Sequence, residues 1–290
     1  MMTGTRRQES EHPMTLITST IPAPKAPHYR PGGVFRSELT KMRSVRSTTW
    51  TLLVTIVITV GIGIIATATE AGRWAHASSL DRLTFDPTNT SLTGLLFGQI
   101  AIGILGILVI TGEYGTGTIR ASLAAVPNRS LFLAAKAAAF ALVALVVGEI
   151  VSFGAFFIGQ MLIGGSAPHA TLGQAGVLRA VTGGGLYLAF LGLFALGLGT
   201  IIRHTAGAIA AFVGVLFIVP LLTPALPTSF QNAISKFEPA AIGNAMTTVN
   251  THLQPGNAPT FSPWVGLAIM GGYAVLALVI GGRRLVRHDA

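Results

Sequence analysis

The chain contains no cysteine. Disulfides, thiolate metal sites and cysteine nucleophiles are therefore excluded. It is also poor in charge: only 10% of its 290 residues are Asp, Glu, Lys or Arg, against about 25% in an ordinary soluble domain. A surface facing water could not be built from so few charges, and this overrides the one or two soluble domains that length alone would suggest. A phosphate cradle is missing too. A P-loop needs Gly-x4-Gly-Lys followed by Ser or Thr, so that backbone N–H groups hold the phosphates and the hydroxyl binds magnesium. The lysines at 25, 41, 136 and 236 are followed by Ala26, Met42, Ala137 and Phe237. No polar stretch is long enough for a nucleotide-binding domain, so any ATP and magnesium would have to sit on another chain. The histidines at 12, 28, 76, 169, 204, 252 and 288 are scattered over tails and loops without an H-E-x-x-H pair, which disfavours a metal site. Ser152 has no histidine at helical spacing, so an intramembrane serine protease fits poorly. No catalytic residue, metal ligand or cofactor is expected on this chain.

What is abundant is hydrocarbon: 51% of the residues are hydrophobic. A helix rises ~1.5 Å per residue and must cross ~30 Å of lipid, so about 20 apolar residues suffice. Six runs qualify, at about 48–69, 90–112, 131–163, 180–202, 205–222 and 263–282. Backbone groups in lipid must be bonded internally, so the runs are helices rather than open strands. The sequence predicts an all-α polytopic membrane protein with a single transmembrane domain over 34–287. Only Arg203 and His204 lie between the fourth and fifth runs, marking a tight turn. Ala195 and Gly199 have the small-xxx-small spacing of close helix packing, but no dimer is assigned to it.

The net charge of +9 would suggest a nucleic-acid partner in a soluble protein. Here the basic residues flank apolar runs, and membrane orientation explains them better. With the N-terminus inside, the inner segments hold 15 basic residues: Arg6, Arg7, Lys25, Arg30, Arg36, Lys41, Arg43, Arg46, Arg120, Arg129, Lys136, Arg203, Arg283, Arg284 and Arg287. The outer segments hold four: Arg73, Arg82, Arg179 and Lys236. This asymmetry predicts a bacterial inner (plasma) membrane protein with both termini cytoplasmic.

Residues 1–33 are rich in Pro, Ser and Thr and read as a disordered cytoplasmic tail; 288–290 form a short second tail. No basic segment leads at once into an apolar one, so no cleaved signal is expected. Residues Val34 to Arg46 read as an amphipathic interfacial helix. Val34, Leu39, Met42 and Val45 share its apolar face, and Arg36, Lys41, Arg43 and Arg46 reach lipid headgroups. In the outer segment 224–262, Phe230, Ile234 and Phe237 recur at helical spacing, which fits a short helix on the outer leaflet or an ordinary structured loop.

The segment between the second and third runs, GEYGTGTIRASLAAVPNRSLFLAAK from Gly112 to Lys136, is the most informative. Glu113 lies where the second helix leaves the hydrocarbon, and Gly115 and Gly117 break that helix. Thr118 can cap a new short helix over Ile119–Val126, which Pro127 stops. Ile119, Leu123 and Val126 give it an apolar face that needs a cover, either membrane or another protein.

This stretch resembles the cytoplasmic loop of ABC-transporter permeases of the type-2 exporter class, at Glu113, Gly117, Thr118, Ile119, Pro127, Arg129 and Lys136. The resemblance extends over roughly residues 34–287 through the six-span layout, the N-terminal amphipathic helix and the long last outer loop. It implies a coupling helix, with Tyr114, Arg120 and Leu123 in the same loop, that docks on a separate ATP-binding subunit. A second permease copy or a related permease would complete the assembly in the lipid bilayer. The resemblance gives architecture and partner more securely than cargo.

Glu149 is an acid well inside a span. An ionisable group there costs a few kcal/mol and defaults to a functional hypothesis. It could line a cargo path or accept a proton in a secondary transporter. It could equally be a protonated glutamate facing Ser152 or a neighbouring helix. A secondary transporter would want several such acids or two related halves, which the sequence lacks. A structural membrane protein without cargo is the third alternative.

Overall fold

The computed structural model describes residues 30–44, 46–249 and 260–287. Most of the tail expected over 1–33, and all of that expected over 288–290, lies outside the described residues. Among the described residues every regular element is helical. Six helical segments are long and apolar enough to cross a bilayer: Thr49–His76, Pro87–Gly115, Arg129–Ile163, Val177–Ile202, Thr205–Ala225 and Pro263–Arg287. They coincide with the six apolar runs, and the chain is a multi-pass helical membrane protein.

Helix α1 spans Pro31–Ser44 and starts three residues before the expected Val34, because Pro31 suits the first helical position, where no N–H is needed. Helix α2, Arg46–Arg73, is the first span. Three of its threonines, Thr55, Thr67 and Thr69, are tolerated in hydrocarbon because they donate their hydroxyls to carbonyls one turn back. A capping box between Ser78 and Asp81 opens α3, Ser79–Thr84. Asp86 then caps α4, Pro87–Leu92, by accepting from Thr88 and Asn89 N–H.

The second span continues as α5, Leu95–Gly115. Between α4 and α5, Gly94 lets the first span pass against bare backbone: a Cβ there would lie 1.8 Å from the Thr59 carbonyl oxygen. The short helix α6, Thr118–Ala125, follows. Asn128 caps the long α7, Arg129–Ile163, by accepting from Leu131 N–H at 3.0 Å. At ~1.5 Å per residue, the 35 residues of α7 extend well beyond the ~30 Å of a bilayer core.

Helix α8, Val177–Ile202, is the centre of the bundle and packs on α5, α7 and the last span. Its small residues serve these contacts. Ala195 is fully buried, and a Cβ on Gly199 would lie 2.8 Å from Ile110 of α5. The Arg203–Thr205 turn is tight, as expected, with Arg203 at φ 62. The fifth span runs as α9, Thr205–Val213, then a wide π turn over Gly214–Ile218, then α10, Val219–Leu222. Pro220 explains the widening, since it lacks an N–H and its ring would clash with the carbonyl one turn back. Beyond it lie α11, Thr228–Ile234, and α12, Pro239–Thr247. Phe230, Ile234 and Phe237 are exposed here. The sixth span is α13, Pro263–Arg287.

Candidate functional site

Four charged side chains meet where α1, α5, α6 and α7 converge. Glu38 projects from α1 on the stripe formed by Val34 and Met42, and all three are buried. Its carboxylate faces Lys136, near the start of α7, in a direct ion pair; both side chains are almost fully buried. Lys136 also donates to Glu113, at the end of α5, at 2.8 Å. Lys41, one turn along α1, donates to Glu38 at 2.7 Å, to Glu113 at 3.3 Å and to Ser122 of α6 at 3.1 Å. Phe132 forms an apolar floor, with its ring 5.1 Å from the Lys136 ammonium and 5.9 Å from that of Lys41.

The cluster is neutral, two carboxylates against two ammoniums, as buried charge must be to avoid a large desolvation cost. Burial pulls the Lys41 pKa down. The hydrogen bond to Glu38 and the charges of Glu113 and Glu38 outweigh it, so Lys41 is held above the usual lysine value. The Glu113 Oε2 atom is buried without a hydrogen-bond partner. Beside it lies a cavity of about 580 Å³ whose other walls include Met42, Leu105, Leu108, Val109 and Ser122.

Helix α6 sits over this junction. Gly117, at φ 71, supplies the left-handed residue that turns the chain out of α5. Gly117 rather than Thr118 is the capping position; the Thr118 hydroxyl instead lies 2.9 Å from that of Thr116. The apolar face of α6 finds its cover within the chain: Ile119 is 2% exposed, and Leu123 and Val126 pack against the core. The need for an external cover, inferred from the sequence, is removed. What α6 shows outward is Arg120, Ala121, Ala124 and Ala125, followed by Pro127 and Asn128.

The remaining expected site residues are distributed around this core. Tyr114 lies beneath the Arg203 guanidinium, whose carbon is 5.5 Å from the ring centre. Arg129 donates to the Leu285 carbonyl at 2.8 Å, and Arg203 to that of Arg284 at 2.9 Å. Both therefore complete the open C-terminal carbonyls of α13. Arg36 and Arg43 are exposed on α1, and Arg46 belongs to the first turn of α2. Glu149 is not part of the cluster. It lies thirteen residues beyond Lys136 on α7, about 20 Å at helical rise. Its carboxyl packs on Gly185 of α8, with Oε2 unpartnered. The Ser152 hydroxyl donates to the Val181 carbonyl at 2.6 Å.

The structure thus brings Lys41, Glu113 and Lys136 together and adds Glu38, Ser122 and Phe132, which sequence reasoning missed. The available signal was the position of Glu38, one turn from both Val34 and Met42. An acid on an otherwise apolar stripe requires a buried cation. No family model matches the chain, and no curated protein matches it.

Proposed function

We propose that this chain is the membrane-spanning permease subunit of an ATP-driven exporter of the ABC type-2 class. It is oriented with the charged junction in the bacterial cytoplasm, and α6 docks on a separate ATP-binding subunit. The observation that carries this reading is the buried ion cluster of Glu38, Lys41, Glu113 and Lys136. A helix that receives a push must be tied to the spans it moves. Through Ser122 and Lys41, α6 is joined to α1; through Glu38 and Glu113, α1 and α5 are joined to α7. Motion of α6 then displaces α1 and the inner ends of the second and third spans together. The small outward face of Ala121, Ala124 and Ala125 permits close approach by a partner groove, and Pro127 and Asn128 fix where that face ends. Helix α1 lies at the membrane surface with Arg36 and Arg43 toward headgroups. ATP and magnesium reside on the partner, and a second copy or a related permease completes the pore. The apolar, glycine-rich spans favour a hydrophobic or drug-like cargo over a charged one.

Gentle extraction with the neighbouring genes co-expressed tests this. An ATPase bearing Walker motifs should copurify, and Lys136→Met should reduce its membrane-dependent ATP hydrolysis while leaving the ATPase intact by itself. Copurification of the chain with no ATPase would remove the reading. A second reading, proton-coupled transport, draws on the unpartnered Glu149 Oε2. It requires Glu149→Gln to abolish transport at normal protein levels; transport unchanged by that substitution eliminates it.

A further inference from the structure

The cavity of about 580 Å³ beside the ion cluster is bounded by α1, the start of α2, the nearer half of α5, and α6. Its volume is in the range of sites that hold organic ligands. One wall changes character along the chain. Leu105, Leu108 and Val109 of α5 are apolar, whereas Thr116, Thr118 and Ser122 beyond them carry hydroxyls. From Leu105 to Thr116 is about 17 Å at helical rise. Because α5 belongs to a membrane span, this wall runs from hydrocarbon toward headgroup level. Leu108 is 38% exposed on that span, which leaves the apolar end open to lipid. The polar end is short of donors. Ser44 donates its hydroxyl to the Lys41 carbonyl at 3.0 Å, and Thr116 to that of Gly112 at 2.8 Å. The Thr118 hydroxyl lies 2.9 Å from that of Thr116, whose proton is already committed, so Thr118 is the donor of this pair. The N–H groups of Lys41 are spent on Glu38, Glu113 and Ser122. Ser44, Thr116 and Thr118 are exposed, and what they still offer is lone pairs.

We propose that this cavity holds a bilayer phospholipid with a zwitterionic, N–H-bearing head. An acyl chain lies along Met42, Leu105, Leu108 and Val109, and the head ammonium donates to the lone pairs of the hydroxyl rim. The ion cluster behind the rim is already neutral, so a lipid of net charge would find no counter-charge there. A primary ammonium, as on ethanolamine, has three donors to give; a choline nitrogen has none. A lipid seated here touches α1, α5 and α6 together. The inference concerns what occupies the cavity and does not rest on the exporter reading.

The test titrates the full chain in detergent with four phospholipids of identical acyl chains, whose head nitrogens carry zero to three methyl groups. Bound lipid is read by native mass spectrometry. The ethanolamine lipid should bind about tenfold tighter than the choline lipid, with the two intermediates in order, as hydrogen bonds from a charged donor are lost. Leu108→Trp, which fills the apolar end, should remove binding of all four. Ser44→Ala combined with Thr118→Val should cut the ethanolamine advantage about fivefold and leave choline-lipid binding unchanged. Melting temperatures establish that each variant folds, and the double variant tests the rim by itself if Leu108→Trp does not. Equal affinity for the four lipids overturns the proposal, as does binding that survives Leu108→Trp in a folded chain. So does a chain that self-associates and retains no lipid, which would make a second copy the occupant.

Discussion

The two ends of the bundle are fastened by different chemistry. At one, Glu38, Lys41, Glu113 and Lys136 hold three helices, α1, α5 and α7, together by ion pairs, Lys41 adds α6 by donating to Ser122, and arginines finish the C-terminal carbonyls of α13. At the other, amides and hydroxyls dominate. Gln160 donates to the Pro87 carbonyl and to Ser91 and accepts from Ala170 N–H, while Asn89 bridges to Asn244 and Thr248. Even the charged groups there bond to backbone: Asp86 accepts from Val249 N–H, and Arg179 donates to the carbonyls of Met246 and Thr248. Neutral hydrogen bonds are short-ranged and fix one geometry. Opposite charges still attract when separated by a few ångströms. A junction held by charge can therefore shift and stay associated, which is what the proposed coupling role would ask of this end.

The largest predicted effect breaks the charged end. Lys136→Met leaves Glu38 and Glu113 with Lys41 as their one ammonium partner, stranding one buried negative charge, and should destabilise the chain by about 3–5 kcal/mol, read as a fall in melting temperature in lipid discs. Adding Glu38→Leu removes the stranded charge and should restore most of that loss. If the single and double variants melt alike, the cluster is not held by pairing. At the neutral end, Gln160→Leu should cost about 1–3 kcal/mol, the penalty of leaving its hydrogen-bonding neighbours unsatisfied. No second substitution of charge should rescue it.

The smallest effect separates the ends by pH. Lys41 has a folded pKa above its unfolded value. Its contribution is therefore complete below about pH 10.4, the unfolded lysine value, and is lost as pH rises through the folded one. The melting-temperature difference between wild type and Lys41→Met should be constant at neutral pH and narrow only in strong alkali. Because Lys41 is half-exposed, the difference is small. A difference already vanishing near pH 8 would mean that the lysine is not engaged with the two acids.

The sequence revealed elements whose cause is local. Six apolar runs, the break at Gly115 and Gly117 and the turn at Arg203 all follow from composition and backbone chemistry within a few residues. Partners distant in the chain were not legible. Glu38 and Lys136 are 98 positions apart, and Gln99 and Tyr187 are 88 apart, and nothing in either neighbourhood names the other. The apolar face of α6 illustrates the same limit. Ile119, Leu123 and Val126 were visible as a face requiring cover, but that the chain itself supplies it depends on how α5 and α7 place the core. The spacing on α1 directs Lys41 to headgroups with Arg36, Arg43 and Arg46; two acids within reach turn it inward.

The comparison of ends also gives the most direct test of the proposed coupling role. A photocrosslinking residue placed at Ala124, on the outward face of α6, is compared in living cells with one at Leu80, exposed on α3 at the opposite end. The account predicts an adduct with a Walker-motif ATPase from position 124 and none from position 80. Absence of any ATPase adduct from 124, or equal adducts from both positions, would contradict it.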